Sequence, residues 1–539
     1  MRPNKLVIIG IDGATFNCID PLVREGKLPN LKKFYEEGTV GELLSTYPPI
    51  SPAAWASFAT GKNPAKHGIF DFVTRDKASY ENVLVNGSFI KEPRFWELMG
   101  DGGLKVGLFN VPMTYPPTPV NGFMLTDENL TPSNKVCFTY PEALSEEINN
   151  RFDGYQVRPK VVYNGSNQVE FIQDFYSCFD KREKILAYLL DSFDCDCHVI
   201  VIVEADNAQH RFFHLPDELE RVYTRIDAII GDVLERFGPE CTYFIISDHG
   251  SGPVRKGFYA NRWLEKQGFL RFDQSLSFYT KYFLSRLNFH HNARKFMARV
   301  HLSWLQSIVK ETTKRKITNA FMSFSDIDWL QTKAYSNGMF GSIYVNLVGR
   351  EPNGIVKPGE EYEQIINDLI RAFSSLRDPD YGTPLVTRIL RRDELGATDL
   401  TGNCPDLIVE TKDYDILFTL KFGFEEKGVF GPLDNTNTGS HKMQGVLMAK
   451  GKNILRGQKI ENARIIDLAP TFLYLMGAPV LADMDGVILQ GLIEKDLLEK
   501  MPVKYTERQK MTGFSPEKDF TAEELETLKR NLQGLGYLS

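Results

Sequence analysis

Short apolar runs alternate with segments of helical periodicity along most of the chain. The run Lys5–Ile11 contains LVIIGI, which is apolar on both faces, as a strand of a parallel sheet covered by helices requires. Similar runs predict strands over 105–109, 198–204, 242–246 and 445–449. The pattern therefore predicts buried strands of one sheet.

The segments between these runs space their apolar residues as helices do. LPNLKKFYEEG predicts a helix that stops at Gly38, and the same spacing recurs over 217–237 and 361–376. Strands that alternate with helices indicate the α/β class, with a doubly wound, mostly parallel sheet.

One segment differs in composition from the rest of the chain. Residues 281–316 carry nine Lys or Arg and one acid, with aromatic and aliphatic residues at helical spacing. We expect a helical cap, which either packs on the core as a hairpin or attracts a polyanionic substrate or an anionic lipid surface. The predicted division is a catalytic core over 1–264 and 335–495, the basic cap over 265–334, and a C-terminal tail over 496–539 with a helix at 522–535.

Composition excludes several classes of protein. The 539 residues carry a formal charge of -7 with a pI near 5.9, so no nucleic-acid partner is expected. No apolar run is long enough to span a membrane, and we expect the first apolar run to be a strand rather than part of a signal peptide. Seven scattered cysteines indicate free thiols and a cytoplasmic location. The sequence indicates no oligomeric state.

Carboxylates follow three of the apolar runs. Asp12 follows the first run, Asp206 follows HVIVIVEA, and Asp248 follows CTYFIIS. In open α/β sheets, ligands bind at the carboxyl ends of the strands. Three acids at that edge would repel one another unless a cation holds them together, so a metal site is predicted.

Histidines accompany these acids. His210 lies four residues after Asp206, His249 follows Asp248, and His441 ends the loop DNTNTGSH before a predicted strand. Mixed carboxylate and imidazole ligands suit zinc, with manganese as the alternative. Six ligands exceed one tetrahedral zinc, so we expect two divalent ions about 4 Å apart.

A nucleophile is expected at Ser51. Ser51 precedes Pro52 and a helical segment, so one interpretation is a helix cap with Pro at the first helical position. The other is a nucleophile, because a helix N-terminus receives phosphate and a nearby metal activates a hydroxyl. Three other hydroxyls are alternative nucleophiles, those of Thr15, Ser57 and Thr60. Ser57 and Thr60 are less well placed, because they lie within or at the end of the predicted helix.

In these residues the chain resembles the alkaline phosphatase superfamily, in particular its type I phosphodiesterase/nucleotide pyrophosphatase branch. The resemblance covers most of residues 5–490. It rests on the order and spacing of Ile11-Asp12-Gly13, Ser51 with Thr60-Gly61, Pro64, His67-Gly68-Ile69, Asp206/His210, Ser247-Asp248-His249-Gly250, Gly439-Ser440-His441 and Ile466–Gly486.

The resemblance implies an alkaline-phosphatase-like fold and a two-metal site. Asp206, His210 and His441 would hold one metal, while Asp12, Asp248 and His249 would hold the other, with Ser51 between them. It further implies in-line attack of Ser51 on phosphorus, a covalent intermediate and its hydrolysis by water. The expected substrate is a small phosphate mono- or diester, including nucleotide pyrophosphates.

Two departures from the branch bear on specificity. Ser51 stands where nucleotide pyrophosphatases usually have Thr, and Asp71-Phe72 stand near where they have Asn. A phosphomutase or a phosphoryl or head-group transferase with the same intermediate is therefore an alternative, as is, less favoured, a non-catalytic binding module. Trp55 stands where sulfatases have Arg, which excludes that branch.

Three further residues have both a structural and a functional interpretation. His67 is expected to stabilise its turn, Lys62 to be solvated or to meet phosphate, and His214 to continue the helix face of His210.

Overall fold

The strands of the protein are defined in a computed structural model. It describes residues 5–76, 78–127, 129–132, 136–155, 158–273, 275, 324–424, 426–433, 437–507 and 520–535. The strands up to residue 258 are β1 (Leu6–Ile11), β2 (Thr39–Leu44), β3 (Val73–Arg75), β4 (Asn82–Leu84), β5 (Val106–Val111), β6 (Gly122–Thr126), β7 (Thr139–Tyr140), β8 (Cys197–Ile202), β9 (Thr242–Ile246), β10 (Gly250–Pro253) and β11 (Lys256–Phe258). The later strands are β12 (Ala334–Ser336), β13 (Ser342–Val345), β14 (Val386–Arg391), β15 (Leu407–Thr411), β16 (Ile416–Phe418), β17 (Phe430–Gly431), β18 (Gly439–Lys442), β19 (Gln444–Gly451), β20 (Gln458–Arg464), β21 (Val480–Leu481) and β22 (Tyr505–Thr506).

The helices lie mostly between strands of the central sheet. In chain order they are α1 (Phe16–Arg24), α2 (Pro29–Glu37), α3 (Ser51–Thr60), α4 (Pro64–His67), α5 (Phe95–Asp101), α6 (Ala143–Arg151), α7 (Gln168–Ser192), α8 (Glu204–Phe212), α9 (Pro216–Phe237), α10 (Ala260–Lys266), α11 (Glu360–Ser374), α12 (Leu468–Leu475), α13 (Lys495–Lys500) and α14 (Ala522–Leu535).

The central sheet has nine strands in the order β20-β2-β19-β9-β1-β8-β5-β6-β7. β19 and β7 run antiparallel to their neighbours, and the other pairings are parallel. Helices α1, α2, α7 and α9 pack on one face, and α3, α5 and α12 pack on the other. The doubly wound, mostly parallel sheet predicted from the sequence is confirmed.

The apolar pattern of β1 explains its central place. Val7, Ile9 and Ile11 enter the core on one face, whereas Leu6 and Ile8 enter the core on the other. Each position is buried because helices cover both faces of the sheet. The carboxyl end of β1 therefore opens at the middle of the sheet edge, between β8 and β9.

Most predicted elements are confirmed, and one is wrong at its end. The helix that stops at Gly38 and those near 217–237 and 361–376 are present. The strand expected over 198–204 ends at Ile202, and Glu204 already begins α8. Asp206 thus lies in a helix and not at the end of a strand. The prediction failed here because a continuous apolar run does not show where a strand ends and a helix begins.

A second, smaller sheet occupies part of the chain between β11 and β18. Its order is β12-β13-β15-β14, and it packs with α10 and α11 around a hydrophobic core of its own. The sequence pattern assigned 335–495 to the catalytic core as one unit and did not anticipate this sheet. The basic segment 281–316 lies outside the described residues, so the cap and its surface contact stay predictions.

The C-terminal helix is present at 522–535, as predicted. Leu528 and Leu532 of this helix are fully buried, in a cluster that also contains Ile50 and Ala53 at the start of α3. The C-terminal helix therefore belongs to the same hydrophobic cluster as the start of the helix that carries Ser51. None of the described helices is long and apolar enough to cross a membrane.

Candidate metal centre and nucleophile

Asp12 is the first residue after β1. Its amide donates to the carbonyl of Ile202 at 3.0 Å, which continues the pairing with β8 by one residue. Gly13 then turns the chain with a φ of +69°, and a Cβ there would lie 2.9 Å from Oδ1 of Asp206. Only glycine fits this turn without strain, so the Asp-Gly pair places a carboxylate at the sheet edge.

Asp248 and His249 follow β9 in the same way. Ser247 anchors their loop, since its hydroxyl donates to the carbonyl of Ala14 at 3.0 Å and accepts from the amide of Val446 at 2.7 Å. Ser247, Asp248 and His249 are fully buried. The loop after β9 is thus fixed against the loop after β1 and the neighbouring β19.

The first group of candidate ligands consists of Asp206, His210 and His441. On α8, Asp206 and His210 are one turn apart, and Nε2 of His210 lies 3.3 Å from Oδ1 of Asp206. Nε2 of His441, on β18, lies 3.7 Å from the same oxygen and 3.1 Å from Nε2 of His210. Three donor atoms from two distant segments thus converge on one point.

Backbone carbonyls orient both imidazoles of this group. Nδ1 of His210 lies 3.1 Å from the carbonyl of Gly439, and Nδ1 of His441 lies 2.8 Å from that of Pro49. A carbonyl only accepts, so we assign the ring proton to Nδ1 in each histidine. This tautomer leaves the Nε2 lone pair available to a metal, as is usual for ligating histidines.

The second group consists of Asp12, Asp248 and His249. Nε2 of His249 lies 3.3 Å from Oδ2 of Asp248 and 3.7 Å from Oδ1 of Asp12. Nδ1 of His249 lies 3.0 Å from the carbonyl of Gly250, so the same tautomer is assigned. In each group the candidate ligand atoms lie within 4.8 Å of one another.

The two groups adjoin each other. The rings of His249 and His441 stack with their centroids 3.6 Å apart and an angle of 17° between the planes. The structure therefore brings all six predicted ligand residues together, in the two sets that the family resemblance implies.

The electrostatics of the six residues fit cations. Burial raises the pKa of Asp12, and the neighbouring carboxylates of Asp248 and Asp206 raise it further. Burial likewise raises the pKa of Asp248 and lowers that of His441. Oδ1 of Asp12 and Oδ2 of Asp248 are buried with no hydrogen-bond partner among the described residues. Buried carboxylate oxygens of this kind need a compensating charge, which divalent cations would supply.

Ser51 lies beside the second group. Its Oγ is 3.1 Å from Nε2 of His249, and the residue is 2% exposed. One of the two interpretations of Ser51 makes it the N-cap of α3, but the N-cap is Ile50, and no side chain caps this helix. The capping interpretation is wrong, because Ser51 is already in the first turn and its hydroxyl points to the histidine instead.

The competing hydroxyls have other partners. Ser57 Oγ lies 2.8 Å from Nε2 of His67, and the hydroxyl of Thr60 donates to the carbonyl of Ala56. Thr15 caps α1 by accepting from the amide of Asn17. Each of these three hydroxyls is thus engaged away from both groups.

The three further residues singled out in the sequence lie outside the two groups. His67 stabilises its turn by accepting from the amide of Ile69, as expected. His214 is exposed and follows the end of α8, so the prediction of a shared helix face is wrong. Lys62 is buried, with its amine 2.6 Å from carboxylate oxygens of both Glu92 and Asp483, which excludes a solvated lysine.

Three side chains that contact the site were missed in the sequence. The indole of Trp55 donates to Asp12, and the amide of Gln209 donates to the carbonyl of Gly13. A tryptophan in an apolar helix is interpreted as a core residue, and a single sequence does not show which acceptor its indole N–H contacts. The ring of Phe340, from the turn between β12 and β13, stacks on His441 with centroids 5.2 Å apart.

Comparison with solved structures finds the same fold in nucleotide pyrophosphatases. Human ectonucleotide pyrophosphatase/phosphodiesterase 5 superposes with a TM-score of 0.50 at 11% identity, over 92% of this chain and 99% of that one. The murine protein gives 0.51 at 12% identity, over 91% and 100%. An inactive variant of the murine protein in complex with AMP gives 0.51 at 11% identity, with the same coverage.

Comparison by sequence identifies the family. No functionally characterised protein matches the chain significantly in a direct sequence search. The family profile described as type I phosphodiesterase/nucleotide pyrophosphatase matches residues 6–422, most of the chain. Enzymes of this family are metalloenzymes with a binuclear site. The chain therefore belongs to the type I phosphodiesterase/nucleotide pyrophosphatase family and is a hydrolase that acts on phosphoric ester bonds.

Proposed function

We propose that this hydrolase cleaves small phosphate mono- or diesters, including nucleotide pyrophosphates, through a covalent intermediate on Ser51 at a two-metal site. The observation that carries the proposal is the position of Ser51. Its Oγ lies 3.1 Å from Nε2 of His249, at the start of a helix and beside two adjoining groups of candidate metal ligands.

The two groups divide the proposed metal ligands. Asp206, His210 and His441 would hold one divalent ion, and Asp12, Asp248 and His249 the other. Zinc fits the mixture of imidazole and carboxylate donors, and manganese is the alternative. Divalent ions bound here would favour the deprotonated serine hydroxyl and stabilise negative charge on the attacking and leaving oxygens.

The chain itself supplies the nucleophile and its surroundings. The Ser51 oxygen attacks phosphorus and forms a Ser–O–P bond, while the bond to the leaving oxygen breaks and that oxygen takes up a proton. A water then attacks the same phosphorus, the Ser–O–P bond breaks, and Ser51 regains its hydroxyl. Ser51 lies in the first turn of α3, where the positive end of the helix dipole would favour a negatively charged phosphoryl group.

A substrate screen of the full-length chain tests this proposal. Metal-free protein is reconstituted with Zn²⁺ or Mn²⁺ and assayed against aryl phosphate monoesters and diesters. We expect turnover only with divalent metal, and we expect labelled phosphate to be trapped on the peptide that contains Ser51. Turnover without divalent metal, or labelled phosphate on a peptide that lacks residue 51, would contradict it.

The same assay separates the hydrolase from a transferase. When an acceptor alcohol is added, a hydrolase still releases the phosphoryl group to water, whereas a phosphomutase or head-group transferase gives the new ester. The expected product is free phosphate or a phosphate monoester. A product formed mainly with the alcohol would favour the transferase.

Location and partners remain proposals. None of the seven cysteines, all among the described residues, forms a disulfide, which supports a reducing compartment such as the cytoplasm. The net charge of -7 supports the absence of a nucleic-acid partner. Contact with an anionic surface would come from residues 281–316 and rests on their charge alone.

A further inference from the structure

Gln209 lies between the two groups of candidate ligands. It is on α8, between Asp206 and His210, and is fully buried. Its Nε2 donates to the carbonyl of Gly13 at 2.9 Å. The amide of Gly13 donates in turn to Oδ1 of Asp248 at 3.2 Å. Gly13 is thus bonded to α8 on one side and to the loop after β9 on the other.

The far side of the Gln209 amide is bonded as well. Its Oε1 accepts from the hydroxyl of Tyr223, on α9, at 3.3 Å, and from the thiol of Cys18, on α1, at 3.8 Å. The side-chain amide of Gln209 donates to a carbonyl on one side and accepts from a hydroxyl on the other. Because a carbonyl can only accept, the atom that faces Gly13 is the amide nitrogen. A carboxylate could not donate to Gly13, and an apolar side chain could make neither bond.

The packing around Gly13 leaves little room for adjustment. A Cβ on Gly13 would lie 3.2 Å from Nε2 of Gln209 and 2.9 Å from Oδ1 of Asp206. The turn that carries Asp12 is therefore already in close contact with α8. The bond from Gln209 holds that turn at a set distance from the helix that carries Asp206 and His210.

We propose that Gln209 is a positioning residue that sets the separation between the Asp206/His210/His441 group and the Asp12/Asp248/His249 group. The inference rests on the proposed two-metal function. Gln209 contributes no ligand to either group and acts through Gly13. Loss of its side-chain hydrogen bonds would free the turn that carries Asp12. Metal binding by the group that contains Asp12 would weaken more than metal binding by the other group, because Asp206 and His210 are held together on one helix.

Manganese titration of the full-length chain tests this role, with Mn²⁺ as a paramagnetic probe. Gln209→Met keeps the length of the side chain and removes both hydrogen bonds. We expect one of two Mn²⁺ ions to bind 10–100-fold more weakly, the range found when a residue that orients metal ligands is lost. The magnetic coupling between the two ions should change in the electron paramagnetic resonance spectrum.

Two further variants complete the experiment. Tyr223→Phe removes one bond to Oε1 but keeps the bond to Gly13, so both ions should bind nearly as in the wild type. Gln209→Leu also removes both hydrogen bonds, with a shorter apolar side chain that adds no charge to the site. It should reproduce the effect of Gln209→Met, and it serves as the test if that variant does not fold.

The outcomes separate this inference from the proposed function. If the wild type binds fewer than two Mn²⁺ ions, the two-metal function fails. If the wild type binds two and the Gln209 variants keep both affinities and the coupling, Gln209 does not position the groups. Equal weakening of both ions, reproduced by Tyr223→Phe with a lower midpoint of thermal unfolding, would show a merely structural role and overturn the inference.

Discussion

The indole Nε1 of Trp55 donates a hydrogen bond to Oδ2 of Asp12 at 3.1 Å. Trp55 is on α3, one turn after Ser51, and its ring is fully buried. A Cβ at Gly10 would lie 2.4 Å from that ring, so β1 needs glycine there. The helix that carries Ser51 is thus bonded directly to a candidate metal ligand.

Trp55→Phe should weaken metal binding and stability together. The change removes a buried donor to a carboxylate, which should lower the free energy of unfolding by about 2 kcal/mol. Metal affinity should fall about 10-fold or more, because the carboxylate loses its orientation. Denaturant unfolding and metal titration measure the two effects.

Trp96→Phe is the matched control for that substitution. Trp96 is equally buried, but its indole nitrogen has no hydrogen-bond partner among the described residues. Both substitutions shrink a buried ring, so the difference between them isolates the bond to Asp12. Equal metal affinity in the two variants would show that this bond does not orient Asp12.

Ser51→Ala should bind metal normally and lose turnover by several orders of magnitude, because no covalent intermediate can form. Ser51→Thr should keep part of the activity, since it keeps a hydroxyl. Ser57→Ala is the control, because Ser57 lies on the same helix but contacts His67. Steady-state kinetics and metal analysis decide the prediction, and comparable turnover in the Ser51→Ala and Ser57→Ala variants would contradict it.

Removal of one ligand group should remove one metal ion. The double variant Asp206→Asn/His441→Ala should bind about one divalent ion per chain where the wild type binds two. Asp12→Asn/Asp248→Asn should likewise lose the other ion. Elemental analysis after dialysis measures this, and full occupancy in either double variant would show that its group is not a site. The fold should persist, because both groups lie at the edge of a large core.

Asp71 should make stability depend on pH. Burial raises its pKa to about 7 in the folded chain, although the amide of Phe72 donates to it at 2.7 Å and opposes the rise. The folded state then holds the proton more tightly than the unfolded state, whose pKa is near 3.8. The stabilising contribution is present below pH 4 and is lost as the pH rises through about 7.

Asp71→Asn should flatten that dependence. The amide oxygen can still accept from Phe72, and the side chain no longer ionises. Urea unfolding between pH 4.5 and 8 should show a steeper loss of stability in the wild type than in the variant. The carboxylates of the two candidate ligand groups are the same in both proteins, so their contribution to the pH dependence cancels when the two curves are compared. Parallel curves would show that folding does not raise the pKa of Asp71.

Leu532→Ala should destabilise the protein, because this residue is fully buried on α14. Loss of a buried leucine costs about 3 kcal/mol. Turnover should fall as well, since the same hydrophobic cluster contains Ile50 and Ala53 beside Ser51. Leu330, which is 72% exposed, gives the control substitution to alanine, with a change within about 0.5 kcal/mol. Equal free energies of unfolding in the Leu532→Ala and Leu330→Ala variants would mean that α14 does not contribute to the core.

Much of the fold could be predicted from the sequence, because its signals are local. A fully apolar run such as Leu6–Ile11 is stable only where both faces are covered, and a helix of suitable spacing stops at glycine. The end of β8 could not be placed, because an apolar run suits a strand and a buried helix equally. The second sheet was missed, because its strands are only three to six residues long and lack the longer apolar run of a strand such as β1.

The six candidate ligands and Ser51 could be predicted from the sequence by itself, because acids close behind apolar runs and short spacings such as that of Asp206 and His210 lie within a few neighbouring residues. Only the tertiary structure decided what surrounds them. Trp55 meets Asp12 across 43 residues and Gln209 meets Gly13 across 196. Hydrogen bonds between such distant residues depend on how helices pack on the sheet, and this packing leaves no local pattern in the chain.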